Sequence, residues 1–152
     1  MIQWKHKVQA FLGKARKIVV VGIGNKLRAD DNAGMVIAQL LKRLVHSPRV
    51  KVIEAGVMPE GFTKSMIDFK PSHILFIDTA IMGLRPGEVK VVPPSQLGGI
   101  TLSTHKPSMA VIMDYLERRI NVNILVMGIQ PKTLEVDGKM SSEVTCATKK
   151  VA

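Results

Sequence analysis

The chain has 152 residues, 46% of them hydrophobic, a formal net charge of +10 and one cysteine. That length makes a single domain, 1–152, able to bury its own core, and no apolar run approaches the about 20 residues that a membrane-spanning helix needs. The lone thiol, Cys146, forbids an internal disulfide, fits a reducing cytoplasm, and reads as buried or incidental rather than nucleophilic.

Trp4, Val8, Phe11 and Leu12 fall at helical spacing among lysines, which predicts an amphipathic helix over 2–13, ended near Gly13. It has no uninterrupted apolar stretch and no small-residue cleavage site, so it does not read as a signal peptide. "KIVVVGIG" (17–24) is an apolar run closed by glycines, as in a strand buried on both faces. Asp30 to Val45 follows as a helix with Val36, Ile37, Leu40, Leu41 and Leu44 on one side. "VKVIEAG" (50–56) predicts a second strand, Glu60 to Phe69 a short helix, and "HILFIDTA" (73–80) a third strand. A turn at Arg85-Pro86-Gly87 leads into a fourth strand with the alternation of a half-exposed edge. Pro107 opens a helix to Arg119, proline being favoured in a first helical turn. "NILVMGI" (123–129) is the fifth strand, and a terminal helix starts at Ser142.

This alternation predicts an α/β fold: a mostly parallel five-stranded sheet with helices on both faces. No helix links strands three and four, so the fourth is expected to run antiparallel. Ligands in such folds sit beyond the carboxyl ends of the strands, where the strand order switches, here between strands one and three. Polar residues converge on that rim: Asp30 and Asp31 after strand one, Glu54 at strand two, Asp78 at strand three, His105 before a helix, and Gln130 after strand five.

Gly22-x-Gly24 suggests a dinucleotide site, but the third small residue of that fingerprint is Leu27, and carboxylates stand where pyrophosphate would lie. The phosphate loop, the G-x-S-x-G elbow and the H-E-x-x-H helix are all missing. There remains a metal site from Asp31, Asp78 and His105, whose oxygen and nitrogen donors suit nickel, zinc or iron and leave coordination positions open. Each residue alone has a plainer reading: a helix cap for either Asp30 or Asp31, a backbone contact for Asp78, a structural histidine for His105. Residues 1–50 hold ten Lys/Arg against two acids, and 51–152 hold twelve against ten. A solvated basic face is the commoner meaning, and no aromatic interleaving or zinc spacing points to nucleic acid.

"GIGNKLRADDNAG", "EAGVMPEG", "FIDTAIMGLRPGEVKVV", "STHKPSM" and "VMGIQP" resemble, in order and spacing, the motifs of the [NiFe] hydrogenase maturation endopeptidases, over residues 17–131. The likeness is greatest to the branch that processes the large subunit of formate-hydrogenlyase-type enzymes. The resemblance implies a three-layer α/β/α sandwich and a cytoplasmic, monomeric peptidase that removes a C-terminal tail from the large-subunit precursor after nickel insertion. It implies metal contact by Asp31, Asp78 and His105, the nickel being that of the substrate, with zinc or another divalent ion able to substitute in vitro. It selects Asp31 over Asp30, leaving Asp30 as a cap; neighbours on a helix point about 100° apart, so both cannot face one ion. Neither nucleic acid nor membrane is an expected partner. The segment 1–15 is extra to the family pattern and the terminal helix is short. A non-catalytic, metal-dependent binding or chaperone module for the same precursor is the alternative.

Overall fold

A computed structural model describes residues 3–102 and 109–152. The elements run α1 (Gln3–Leu12), β1 (Ile18–Ile23), α2 (Ala33–Leu44), β2 (Val50–Gly56), α3 (Thr63–Asp68), β3 (His73–Ile81), β4 (Val89–Val92), β5 (Thr101–Leu102), α4 (Met109–Arg119), β6 (Asn123–Ile129) and α5 (Ser142–Val151). The sheet has the order β2-β1-β3-β6-β4, and β5 pairs with the end of β3. β1 pairs in parallel with β2 and β3, and β3 in parallel with β6, whereas β4 runs antiparallel to β6 as the missing helix implies. The chain leaves β1 for β2 on one side and returns to β3 on the other, so the order switches between β1 and β3.

Strand alternation sorts the core into two layers. Val19, Val21, Ile74 and Phe76 face Met66 of α3 and Ile112, Met113 and Leu116 of α4. Val20, Leu75 and Ile77 face Ala33 and Ile37 of α2 and Val144 and Ala147 of α5. Trp4, Val8 and Phe11 of α1 cover that second layer without being fully buried. The result is the three-layer sandwich, with the nearly continuous burial of β3 explaining its unbroken apolar run.

Local differences from the sequence expectation have tertiary causes. The helix expected over Asp30–Val45 is a 3-10 turn, Ala29–Asn32, followed by α2. Ala29 takes a left-handed φ of 49°, and the Asp30 amide turns away to the Thr133 carbonyl at 3.1 Å, so the first turn is set by contacts outside the helix. The helix expected over Glu60–Phe69 likewise divides into a 3-10 turn, Pro59–Phe62, and α3, at a point where Gly61 lowers helix propensity. Two-residue β5 adds a sixth strand too short to announce itself by pattern. The expected helix start at Pro107 lies outside the described residues, and α4 ends at Arg119 as read. Cys146, read as buried or incidental, is exposed on α5, because the buried stripe of that helix falls on Val144, Ala147 and Thr148 instead.

Candidate functional site

The site is built where β1 and β3 end. Gly24 and Gly34 let the chain close up there: a side chain on Gly24 would strike the Asp31 carbonyl, and one on Gly34 the carbonyls of Ile23 and Ile77. The Gly22-x-Gly24 pair therefore serves close backbone approach of the turn and α2 to the sheet. Asn25 sets the turn itself, its amide donating to the Asp31 carbonyl (3.2 Å) and its Oδ1 accepting from Leu27 N (2.9 Å).

This packing drives Asp31 against β3. Asp31 is 3% and Asp78 1% exposed, and the residue between them is Thr79. Thr79 Oγ1 donates to Asp31 Oδ1 at 2.7 Å, while Thr79 N donates to Asp78 Oδ1 at 2.8 Å. Alternation explains the bridge: Thr79 continues the series of Leu75 and Ile77 towards α2, and Asp78 the series of Ile74 and Phe76 towards α4. The two carboxylates thus straddle the end of one strand. Thr79 carried no weight in the sequence reading, although its place beside Asp78 in a period-two strand was the available signal.

Asp30 separates cleanly from Asp31. It is fully buried and accepts four hydrogen bonds: Lys132 N (2.8 Å), Thr133 N (3.0 Å) and Ser141 Oγ (2.9 Å) at Oδ2, and Ser141 N (2.6 Å) at Oδ1. The expected cap on its own helix is not made, since no side-chain cap is present on the 3-10 turn or on α2. The carboxylate instead gathers amides from the segment after β6 and holds Ser141, whose Oγ caps α5 through Val144 N at 3.3 Å. Charge-assisted bonds of this kind are the stronger sort.

Glu54 and Gln130 are engaged by other partners. Glu54 receives Gln39 Nε2 at 3.0 Å and Lys42 Nζ at 2.8 Å from α2, and those partners hold its carboxyl below the usual range. Gln130 Oε1 accepts from Met82 N (2.8 Å) and Leu84 N (3.3 Å), fastening the segment after β3 to the end of β6. His105 lies outside the described residues. Among the described residues, no three His, Cys, Asp or Glu side chains cluster as a metal site, and no Lys or Arg forms an ion pair with Asp31. Two buried carboxylates are hard oxygen donors of a kind that could supply part of a ligand set for a divalent cation. Much of the N-terminal basic excess has local work: Lys17 donates to Phe69 O, Arg28 to Leu134 O, Lys42 to Glu54, and Arg49 to the carbonyls of Ala15 and Arg16.

A mostly parallel α/β sandwich with two buried carboxylates at its switch point defines an α/β domain with an acidic rim site. Comparison with known proteins makes this specific. Residues 35–152 match the HycI family model, described as hydrogenase maturation protease, a match that begins just after Asp31. The chain belongs to the hydrogenase maturation protease family. A Methanocaldococcus jannaschii protein provisionally described as a hydrogenase maturation protease is 35% identical over 131 residues, 82% of this chain and 78% of the relative. The hydrogenase 3 maturation protease of Escherichia coli K12 is 28% identical over 116 residues, 74% of this chain and 72% of its own. The crystal structure of the [NiFe] hydrogenase maturation protease HycI from Thermococcus kodakarensis KOD1 superposes with a TM-score of 0.89 at 28% identity, covering 95% of this chain and 93% of that one. No helix among the described residues is long and apolar enough to cross a membrane.

Proposed function

We propose that this chain is the endopeptidase that cuts the C-terminal tail from a [NiFe] hydrogenase large-subunit precursor once nickel is in place, with Asp31, Asp78 and His105 as its working groups. The observation that carries the reading is the pair of buried carboxylates held on either side of Thr79 at the β1/β3 switch point. Family membership supports the peptidase activity. The substrate's own nickel is the ion these residues would contact, and a divalent ion there polarises an amide carbonyl and acidifies a bound water.

The chain's residues do the rest. Thr79 occupies Asp31 Oδ1, so Asp31 would present its other oxygen, and its rotamer is fixed before substrate arrives. Asp78, with Oδ1 anchored to the Thr79 amide, is held in the same way. Either carboxylate is suited to take the proton of the attacking water, after which the amine leaves protonated and the tail departs. His105 would complete the donor set with an imidazole nitrogen.

The test is intact-mass spectrometry of nickel-loaded precursor mixed with the protein. The parent removes the tail, while Asp78→Asn and His105→Ala leave it in place. Cutting by both variants at the parental rate would overturn the assignment. Binding of the precursor with no change in mass would show a non-catalytic module instead.

A further inference from the structure

β3 outruns its neighbour in the sheet. Its last pair with β6 is Thr79 with Ile129, yet the strand continues through Ala80 and Ile81, and those two residues are the ones that pair with Leu102 and Thr101 of β5. A two-residue strand makes too few bonds to hold its own place, so its register depends on how firmly this extension of β3 is fixed. The sheet fixes one end, at Thr79. Gln130 fixes the other.

Gln130 follows Ile129 at the end of β6 and is 9% exposed. Its Oε1 accepts from Met82 N at 2.8 Å and from Leu84 N at 3.3 Å, so the extension is held at the residue directly after Ile81. Its backbone ties the far end of the same segment: Gln130 N donates to Glu88 O at 2.9 Å, and its carbonyl accepts from Gly87 N at 2.8 Å. Gly128, two residues earlier, leaves the room, because a side chain there would lie 2.8 Å from Ala80 Cβ and 3.0 Å from Met82 Sδ. The extension thus packs over a bare glycine while the Gln130 side chain holds its backbone.

What depends on this clamp adjoins the carboxylates. Asp78 and Thr79 immediately precede the extension, and β5 runs in sequence straight into 103–108, the stretch that contains His105. We propose that Gln130 is a positioning residue for the cleavage reaction: by clamping Met82 and Leu84 it fixes the β3 extension, and with it the register at which β5 leads into the segment of His105. This rests on the reading of the site as that of a tail-removing peptidase. Loss of the clamp slows the cut and leaves precursor docking intact, since a misplacement of about 1 Å among reacting groups costs up to about a hundredfold in rate.

The experiment follows single-turnover cleavage of nickel-loaded precursor by intact mass, with parent, Gln130→Met and Gln130→Glu proteins, at a temperature where thermal melting shows all three folded. Gln130→Met keeps the side-chain length without the acceptor, and Gln130→Glu keeps the acceptor. Gln130→Met should cut at least about tenfold more slowly, and Gln130→Glu should stay within about threefold of the parent. Hydrogen exchange over 80–84 and 101–102 should quicken at least about tenfold in Gln130→Met alone. Precursor Kd, measured on the Asp78→Asn background, should not change when Gln130→Met is added. Arg85→Ala, which removes an exposed pair with Glu88 in the same segment, should alter none of these. Parental cleavage by Gln130→Met overturns the proposal. So does Gln130→Glu falling as low, a Kd that rises in step with the lost rate, or parental exchange over 101–102 while cleavage falls. A parent that never cuts overturns the peptidase reading, and exchange then still decides whether Gln130 holds β5.

Discussion

Thr79 joins Asp31 to the strand that carries Asp78: its hydroxyl lies 2.7 Å from Asp31 Oδ1, and its amide 2.8 Å from Asp78 Oδ1. One residue thereby orients both carboxylates, one through its side chain and the other through its backbone. Thr79→Val keeps the shape and removes only the hydroxyl. Precursor cleavage should fall by about tenfold or more as Asp31 loses its fixed rotamer, with a thermal midpoint lowered by only a few degrees, on the order of one hydrogen bond. Unchanged cleavage by Thr79→Val would show that the hydroxyl bridge does not orient Asp31 for the reaction.

Asp30 and Asp31 should fail in different assays. Asp30→Asn turns one of two acceptor oxygens into a donor facing amide or hydroxyl donors from Lys132, Thr133 and Ser141. The expected loss is about 2 kcal/mol or more, read as a thermal midpoint lowered by about 4–8 °C. Asp31→Asn retains an acceptor for Thr79, so its midpoint should stay near the parent's. Equal destabilisation by the two substitutions would contradict the division of labour.

That division shows what was legible in the sequence. The four parallel strands announced themselves as largely apolar segments and the fourth strand in sequence by its turn and alternation, and the rim position of Asp78 followed from a charge ending four apolar residues. The role of Asp30 could not be read, because its partners are 102, 103 and 111 residues downstream and meet it only once β6 and α5 have packed. Its local setting suggested a cap, and a tertiary anchor took its place. Glu54 looked like a rim residue from its strand, but the facing Gln39 and Lys42 draw it onto α2.

Gly24→Ala tests the packing beneath the site. The new methyl group would meet the Asp31 carbonyl, and backbone cannot swing aside as a flexible side chain would. Cleavage should fall at least about tenfold and stability by about 1–3 kcal/mol, measured by mass spectrometry and urea unfolding respectively. Parental values in both would show that the close approach is not needed.

His73 gives the fold a pH dependence remote from the site. It starts β3, its Nδ1 is 2.8 Å from Ser72 Oγ, and the Phe11 ring stacks edge-on at 4.8 Å. Burial, with a contribution from the nearby Arg16 charge, lowers its pKa below the ordinary 6.5. The unfolded chain therefore takes up the proton first, and stability should decline as pH falls through 6.5 towards the folded-state value. His73→Gln should flatten that part of the parental melting profile. An identical decline in both proteins would assign it to other groups.

Which acid acts on the precursor is read directly by one assay: intact mass of the nickel-loaded large subunit after incubation with parent, Asp30→Asn or Asp31→Asn protein, at a temperature where all three remain folded. The parent and Asp30→Asn should remove the tail, and Asp31→Asn should leave the mass unchanged. Cleavage by Asp31→Asn together with an intact tail under Asp30→Asn would give the role to Asp30 instead.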